Sequence, residues 1–78
     1  MNYELAAMAL DGLVGFPLTI RVVGDTVEIN GPANGFKELA RLCLLLGASE
    51  GTAAGEAFEL RAPLHLTAAS AAIRLQRD

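Results

Sequence analysis

Two side chains of the kind that carry out enzyme chemistry occur once each in this sequence, Cys43 and His65. A cysteine nucleophile needs a cation or a general base beside its thiolate, and Cys43 lies between two leucines in an apolar stretch. We therefore predict that Cys43 is buried and unreactive. A histidine that acts as a base or a metal ligand needs partners, and His65 stands between Leu64 and Leu66 with none recognisable. We predict a surface or turn-capping histidine.

The remaining candidates for chemistry are two serines and a glycine-rich turn. Ser49 and Ser70 have turn-forming neighbours, and neither stands in a Gly-x-Ser-x-Gly motif. The turn at residues 31–35 precedes a predicted helix, but Pro32 removes one backbone donor, and such turns need glycine for geometry alone. The carboxylates are scattered singly, which does not favour a metal site. We predict no catalytic residues, no cofactor and no metal, and hence no enzyme.

Composition limits the class of protein further. The 78 residues allow one domain, 53% of them are hydrophobic, and the net charge of −3 does not fit a nucleic-acid-binding protein. No run approaches the roughly 18 apolar residues of a membrane span, and the first four residues lack the positive charge of a signal peptide. The expected location is the cytoplasm, as the lone cysteine also indicates. A core this small needs a supplement, and a homodimer is the expected one.

Residues 18–30 give the clearest structural signal. Two runs that alternate between apolar and polar residues flank Gly24-Asp25, a pair typical of a two-residue hairpin turn with positive φ at the glycine. That turn fixes the register, so Arg21 is expected opposite Glu28 as a cross-strand ion pair. The pairs expected on the core side of the hairpin are Ile20 with Ile29 and Val22 with Val27.

A helix is predicted to begin at Asn34, as its N-cap, and to run to about Leu46, with Gly47 as its stop. The second half of this helix is apolar on every side, so one sheet cannot cover it. At helical spacing, the predicted core face is Phe36, Leu39, Ala40 and Cys43. The residues predicted at a homodimer interface are Leu42 and Leu45 of this helix and Leu5 and Met8 of the N-terminal segment.

The two ends of the chain complete the predicted fold. Residues 3–10 favour a short helix capped by Asn2, with an edge or swapped strand as the alternative. After a small-residue loop at 48–56, two strands are expected, with Pro63 interrupting the segment between them and Leu64 and Leu66 closing one end of the core. The predicted fold is α+β, a ββαββ core over residues 18–78 in which a four-stranded antiparallel sheet packs on one main helix. Residues 1–17 are interpreted as an N-terminal extension of this single domain.

The outer face of that sheet is expected to be polar. Its charges are mixed and nearly balanced, as on an ordinary solvated face, yet it is the best place for a specific polar contact with a protein. The residues expected to project there are Thr19, Arg21, Glu28, Asn30, Glu59, Arg61, Arg74 and Gln76. Those predicted to bind a partner are Arg21, Glu28, Glu59, Arg61 and Arg74.

From Thr19 onward the chain resembles a family of short bacterial proteins, the immunity protein 32 family. The resemblance rests on residues 29–46, INGPANGFKELARLCLLL, and on the closing segment 66–75, LTAASAAIRL. Residues 1–17 fall outside it. The resemblance implies a protein that neutralises a toxin in bacterial competition, and it implies no catalytic residues.

The function expected from these observations is binding to another protein. The leading hypothesis is a small cytoplasmic protein, immunity or antitoxin-like, that occludes a protein partner such as a toxin. The alternative is a structural homodimer module with no dedicated ligand. A toxin gene beside this one would separate the two hypotheses.

Overall fold

The computed structural model describes residues 2–48 and 52–78. Ser49 and part of the predicted loop lie outside the described residues. The elements, in chain order, are α1 (Tyr3–Gly15), β1 (Thr19–Val23), β2 (Thr26–Asn30), α2 (Ala33–Gly47), β3 (Ala57–Leu60) and β4 (Ile73–Gln76).

The N-terminal segment is a full helix, and the alternative of an edge or swapped strand is wrong. Asn2 caps α1 as predicted, because the Leu5 N–H donates to Asn2 Oδ1 at 3.1 Å. The helix continues through Gly12, where α2 comes so close that a Cβ would lie 2.6 Å from the Glu38 side chain. One face of α1 is buried in the core through Ala6, Ala9 and Leu13. The segment interpreted from the sequence as an N-terminal extension therefore contributes a buried helix face to the core.

The β1–β2 hairpin is confirmed in its turn and its register. Gly24 has a φ of +59°, and Arg21 pairs with Glu28 in the antiparallel ladder. The expected core side is right only near the base of the hairpin. Ile20 is 2% exposed, but its neighbour on the same face, Val22, is 62% exposed.

The predicted four-stranded sheet on a single helix is wrong. The strands form two separate two-stranded antiparallel sheets, β1–β2 and β3–β4, and two helices pack together beside them. After β3 the chain turns at Arg61, whose carbonyl accepts from three successive N–H groups, those of Leu64, His65 and Leu66.

Residues 66–71 then run along the free edge of β1, where a third strand would otherwise pair. The Thr67 N–H donates to Leu18 O at 2.9 Å, and the Ala71 N–H donates to Ile20 O at 3.0 Å. Because these bonds occupy the outer edge of β1, neither β3 nor β4 pairs with β1.

Three hydroxyl groups join the same segment to β1. Thr19 Oγ1 lies 2.8 Å from Thr67 Oγ1, which lies 3.0 Å from Ser70 Oγ, and Ser70 Oγ accepts from the Ile20 N–H at 3.1 Å. Every hydroxyl in this hydroxyl cluster, Thr19, Thr67 and Ser70, therefore has a partner. The cluster is a structural tie between residues far apart in the chain.

The core face of α2 was predicted wrongly. Leu42 is fully buried and Leu46 nearly so, whereas Phe36, Ala40 and Cys43 are exposed. The cause is Gly35, which is buried so closely that a Cβ would lie 2.5 Å from Phe16 O. This contact turns the face of Gly35 inward, and residues seven and eleven positions later follow it at helical spacing. Asn34 is not the cap either, since α2 begins one residue earlier, after Pro32.

Both helices, β1, β3 and the 66–71 segment contribute to one core. Leu66 is fully buried in the core, as predicted. Leu64 is 54% exposed and does not close an end of the core, so the prediction for it is wrong. None of the helices in the described ranges has the length and hydropathy needed to cross a bilayer. The buried residues are Ala6, Ala9, Leu13, Leu18, Ile20, Leu42, Leu46, Phe58, Leu60 and Leu66.

Candidate functional site

An apolar groove lies on the outer surface where α1 and α2 pack against each other. Its volume is about 380 Å³. The buried faces of the two helices consist of small residues and leucines, and side chains beside those faces form the walls of the groove. We call this surface the helix groove, and it is lined by Leu5, Met8, Arg41, Leu44, Leu45 and Ala48.

The walls of the helix groove are unusually open for apolar side chains. Leu44 is 74% exposed, Met8 64% and Leu5 50%. Fully burying one such side chain stabilises a protein by roughly 1.5–3 kcal/mol, of which this fold gains only a part at these positions. A contiguous apolar patch of this kind marks an interaction surface more often than scattered single residues do.

Among the residues that the structure describes, Arg41 is the one charged residue that lines the helix groove. Its Nη1 donates to Glu38 Oε1 at 2.9 Å, an ion pair one turn apart on α2. This pair keeps the guanidinium at the rim, where a carboxylate of a bound molecule can share it. The groove thus offers an apolar floor and one cationic edge.

The predicted polar face is divided between the two sheets. On β1–β2, Arg21 Nη2 lies 3.6 Å from Glu28 Oε1. On β3–β4, Glu59 accepts hydrogen bonds from Arg61 and, at 2.7 Å, from Arg74 Nη1. The Arg61 guanidinium, followed by that of Arg74, lowers the pKa of Glu59. All five predicted partner-binding residues are therefore paired with each other.

A shallow depression of about 260 Å³ accompanies the β3–β4 cluster. Glu59, Arg61 and Arg74 line it together with Ala72 and Ile73. Its charged groups are exposed and already satisfied, so a partner would have to compete with existing ion pairs for little gain. We regard it as a weaker candidate than the helix groove.

The residues predicted at a dimer interface occupy different parts of the structure. Leu5, Met8 and Leu45 line the helix groove, whereas Leu42 belongs to the core of its own chain and is not available to a partner. Arg41, Leu44 and Ala48 also line the helix groove but were not among the predicted interface residues. The spacing of Arg41, Leu44 and Ala48 along α2 would have grouped them on one side, had the core face been assigned correctly.

The residues considered for catalysis are not brought together. Cys43 was predicted to be buried, but it is exposed. The Arg61 N–H donates to His65 Nδ1 at 3.3 Å, so His65 caps the turn after β3, as predicted. Across residues 2–48 and 52–78, no three His, Cys, Asp or Glu side chains are grouped as metal ligands.

Comparison with known proteins adds no relative. No protein family matches the chain, and neither the curated proteins nor the solved structures contain a significant match. The resemblance to the immunity protein 32 family is therefore not supported by a family match and stays a prediction.

Proposed function

We propose that this protein acts by binding another protein, and that the helix groove is its binding surface. The observation that carries the proposal is the exposure of Leu5, Met8 and Leu44 around one apolar depression. Its most specific form is a cytoplasmic immunity or antitoxin-like protein that covers a working surface of a toxin, which is what the sequence resemblance implies.

The occupant that fits the helix groove best is an amphipathic helix of the partner. A groove between two helices is concave and accepts a convex ridge of apolar side chains at helical spacing. A second copy related by a two-fold axis would present the same concavity, and two concave surfaces leave a void between them. A carboxylate beside the apolar ridge of the partner would share Arg41 with Glu38.

The proposal is tested with Leu44→Asp, which places a carboxylate in the groove wall. The tagged wild-type protein is used to capture and identify a partner from the native cell, and the purified pair is then titrated. Leu44 is 74% exposed, so the fold should be retained. We expect affinity to fall at least about tenfold, which corresponds to about 1.4 kcal/mol. The matched control is Leu64→Asp, since Leu64 is also exposed but does not line the groove.

Two results would contradict parts of this proposal. Equal binding by the wild type and Leu44→Asp would exclude the helix groove as the surface. If the identified partner is harmless when produced alone in a growing cell, the immunity form is wrong even if binding is tight. Self-association that Leu44→Asp abolishes, without any captured partner, would instead support the structural homodimer.

A further inference from the structure

The outer edge of β2 has backbone groups without partners among the described residues. In a two-residue hairpin the pairs alternate between hydrogen-bonded and non-bonded, beginning with the bonded pair Val23–Thr26 beside the turn. Val27 and Ile29 then belong to non-bonded pairs, so their N–H and C=O groups point away from β1. Within residues 2–48 and 52–78, nothing accepts from or donates to these groups.

The other edge of the hairpin, on β1, confirms which backbone groups point outward. Ile20 is the β1 residue paired with Ile29, so its backbone groups should also point outward. They do, and both are used: the Ile20 N–H donates to Ser70 Oγ, and Ile20 O accepts from the Ala71 N–H. The hairpin therefore has one edge that is paired and one that is open.

The side chains at the open edge are apolar and uncovered. Strand alternation and the ladder register place Val22, Val27 and Ile29 on the same face as buried Ile20. Val22 is 62% exposed, Val27 59% and Ile29 38%, because the core covers only the base of the hairpin. We call these three residues the open hairpin face. The edge strand lacks the lysine or proline that commonly blocks strand addition, and its one charge, Glu28, is paired with Arg21.

We propose that β2 pairs antiparallel with β2 of a second copy of this chain, around a two-fold axis perpendicular to the sheet. An open edge is self-complementary, because each strand offers the same outward donors and acceptors to the other. This axis keeps the open hairpin faces of both copies on one side, where they join into one strip of six residues. The core of each copy, to which both helices contribute, lies on that same side, because Ile20 is part of that core.

Surface area and charge limit how the two β2 strands can pair in the proposed dimer. The chain exposes 4933 Å², against about 4,500 Å² expected for a folded monomer of its mass. A stable interface takes roughly 800 Å² from each copy, so the open hairpin face must contribute to the interface in addition to the strand edge.

Charge limits the register of the two β2 strands. Centring the pair on Glu28 would place two like charges directly opposite each other, which is destabilising. The pair is therefore centred on Val27 or on Ile29.

The experiment combines sedimentation equilibrium with residue-resolved amide hydrogen exchange over a range of protein concentrations. We expect a dimer in which the Val27 and Ile29 amides exchange more slowly as concentration rises. Val27→Pro removes an outward N–H and leaves the bonded pairs of the hairpin intact, so it should be monomeric with the Glu28 amide still protected. Val27→Thr keeps the donor and the side-chain shape and should still dimerise.

A monomer at every concentration would overturn the proposal. So would a dimer in which the Val27 and Ile29 amides exchange freely, because that dimer would use another surface. If Val27→Pro loses protection at Glu28, the hairpin has been disrupted, and Val27→Lys, which adds a charge to the edge, takes its place and should also be monomeric. Leu44→Asp should dimerise like the wild type, which separates this interface from partner binding at the helix groove.

Discussion

At the scale of single residues, two glycines set how closely the start of α2 approaches the connection between α1 and β1. A Cβ at Gly31 would collide with the Leu18 side chain, and a Cβ at Gly35 would lie 2.5 Å from the backbone oxygen of Phe16. A backbone oxygen cannot rotate away as the end of a flexible side chain can. The identity of Gly35 is therefore fixed by packing, independently of helix propensity.

Gly35→Ala should lower the free energy of unfolding by about 1–3 kcal/mol, since overpacking at this contact outweighs the better helix propensity of alanine. Gly47→Ala is the matched control, because it lies in the same helix with nothing within 4 Å of its added methyl group. The control should raise stability by up to about 1 kcal/mol. Urea denaturation measures both. Shifts of the same sign and size would show that propensity, and not the contact with Phe16, governs position 35.

At the scale of the elements, the C-terminal end of α2 is completed by a residue from the far end of the sequence. Arg77 Nη1 donates to Leu46 O at 2.7 Å and to Ala48 O at 2.5 Å. The last turn of α2 contains no basic residue of its own. Arg77 therefore supplies the positive charge that favours a helix C-terminus and binds carbonyls that the helix leaves free.

Arg77→Met should lower the free energy of unfolding by roughly 1–2 kcal/mol, because it removes charge-assisted hydrogen bonds and leaves the helix dipole uncompensated. Arg61→Met is the control, since the Arg61 side chain is 70% exposed and its ion pair with Glu59 lies on the surface. The control should cost clearly less stability than Arg77→Met, because a solvent-exposed ion pair contributes little. Amide exchange should accelerate in the last turn of α2 only in Arg77→Met. Equal losses of stability, without that local change, would contradict a capping role.

The elements that the sequence predicted correctly are those determined by neighbouring residues. The Gly24-Asp25 turn and the alternation around it define the β1–β2 register without any distant contact. The Asn2 cap is equally local, because its partner is three residues away.

What the sequence could not predict depends on distant contacts. The buried stripe of α2 includes Gly35, and a glycine in a pattern is read as a break and not as a core position. The division into two sheets follows from bonds between β1 and residues 66–71, a segment that has little strand propensity. Since the core face of α2 was misassigned, Leu42 was placed in the interface and Arg41 was missed in the helix groove.

At the scale of the whole molecule, two titratable side chains on the surface, Glu59 and Tyr3, make stability depend on pH in acid and in alkali. The pKa of Glu59 is lowered, first by its hydrogen bond with Arg61 and then by that with Arg74. The pKa of Tyr3 is raised, chiefly because its hydroxyl donates to Glu56 Oε1 at 2.8 Å. Glu59 thus favours folding when ionised, and Tyr3 favours it when protonated.

The free energy of unfolding should accordingly fall in acid and in alkali. The contribution of Glu59 is complete above its unfolded pKa of about 4.3 and is lost as pH falls through its folded value. The contribution of Tyr3 is complete below about pH 10 and is lost as pH rises through its raised folded value. Urea unfolding across pH measures both. The difference between wild type and Glu59→Gln should shrink in acid, and that between wild type and Tyr3→Phe in alkali. Differences that stay constant with pH would contradict these assignments.

The hydroxyl cluster also bears on the order in which the chain folds. It joins Thr19 to Thr67, residues 48 apart in the sequence. Closing a loop of that length costs a few kcal/mol of chain entropy before any contact compensates for it, whereas the β1–β2 hairpin closes over two residues and forms within microseconds. The hairpin therefore forms early, with its open edge exposed. The pairing of β1 with residues 66–71 is the late and slow step.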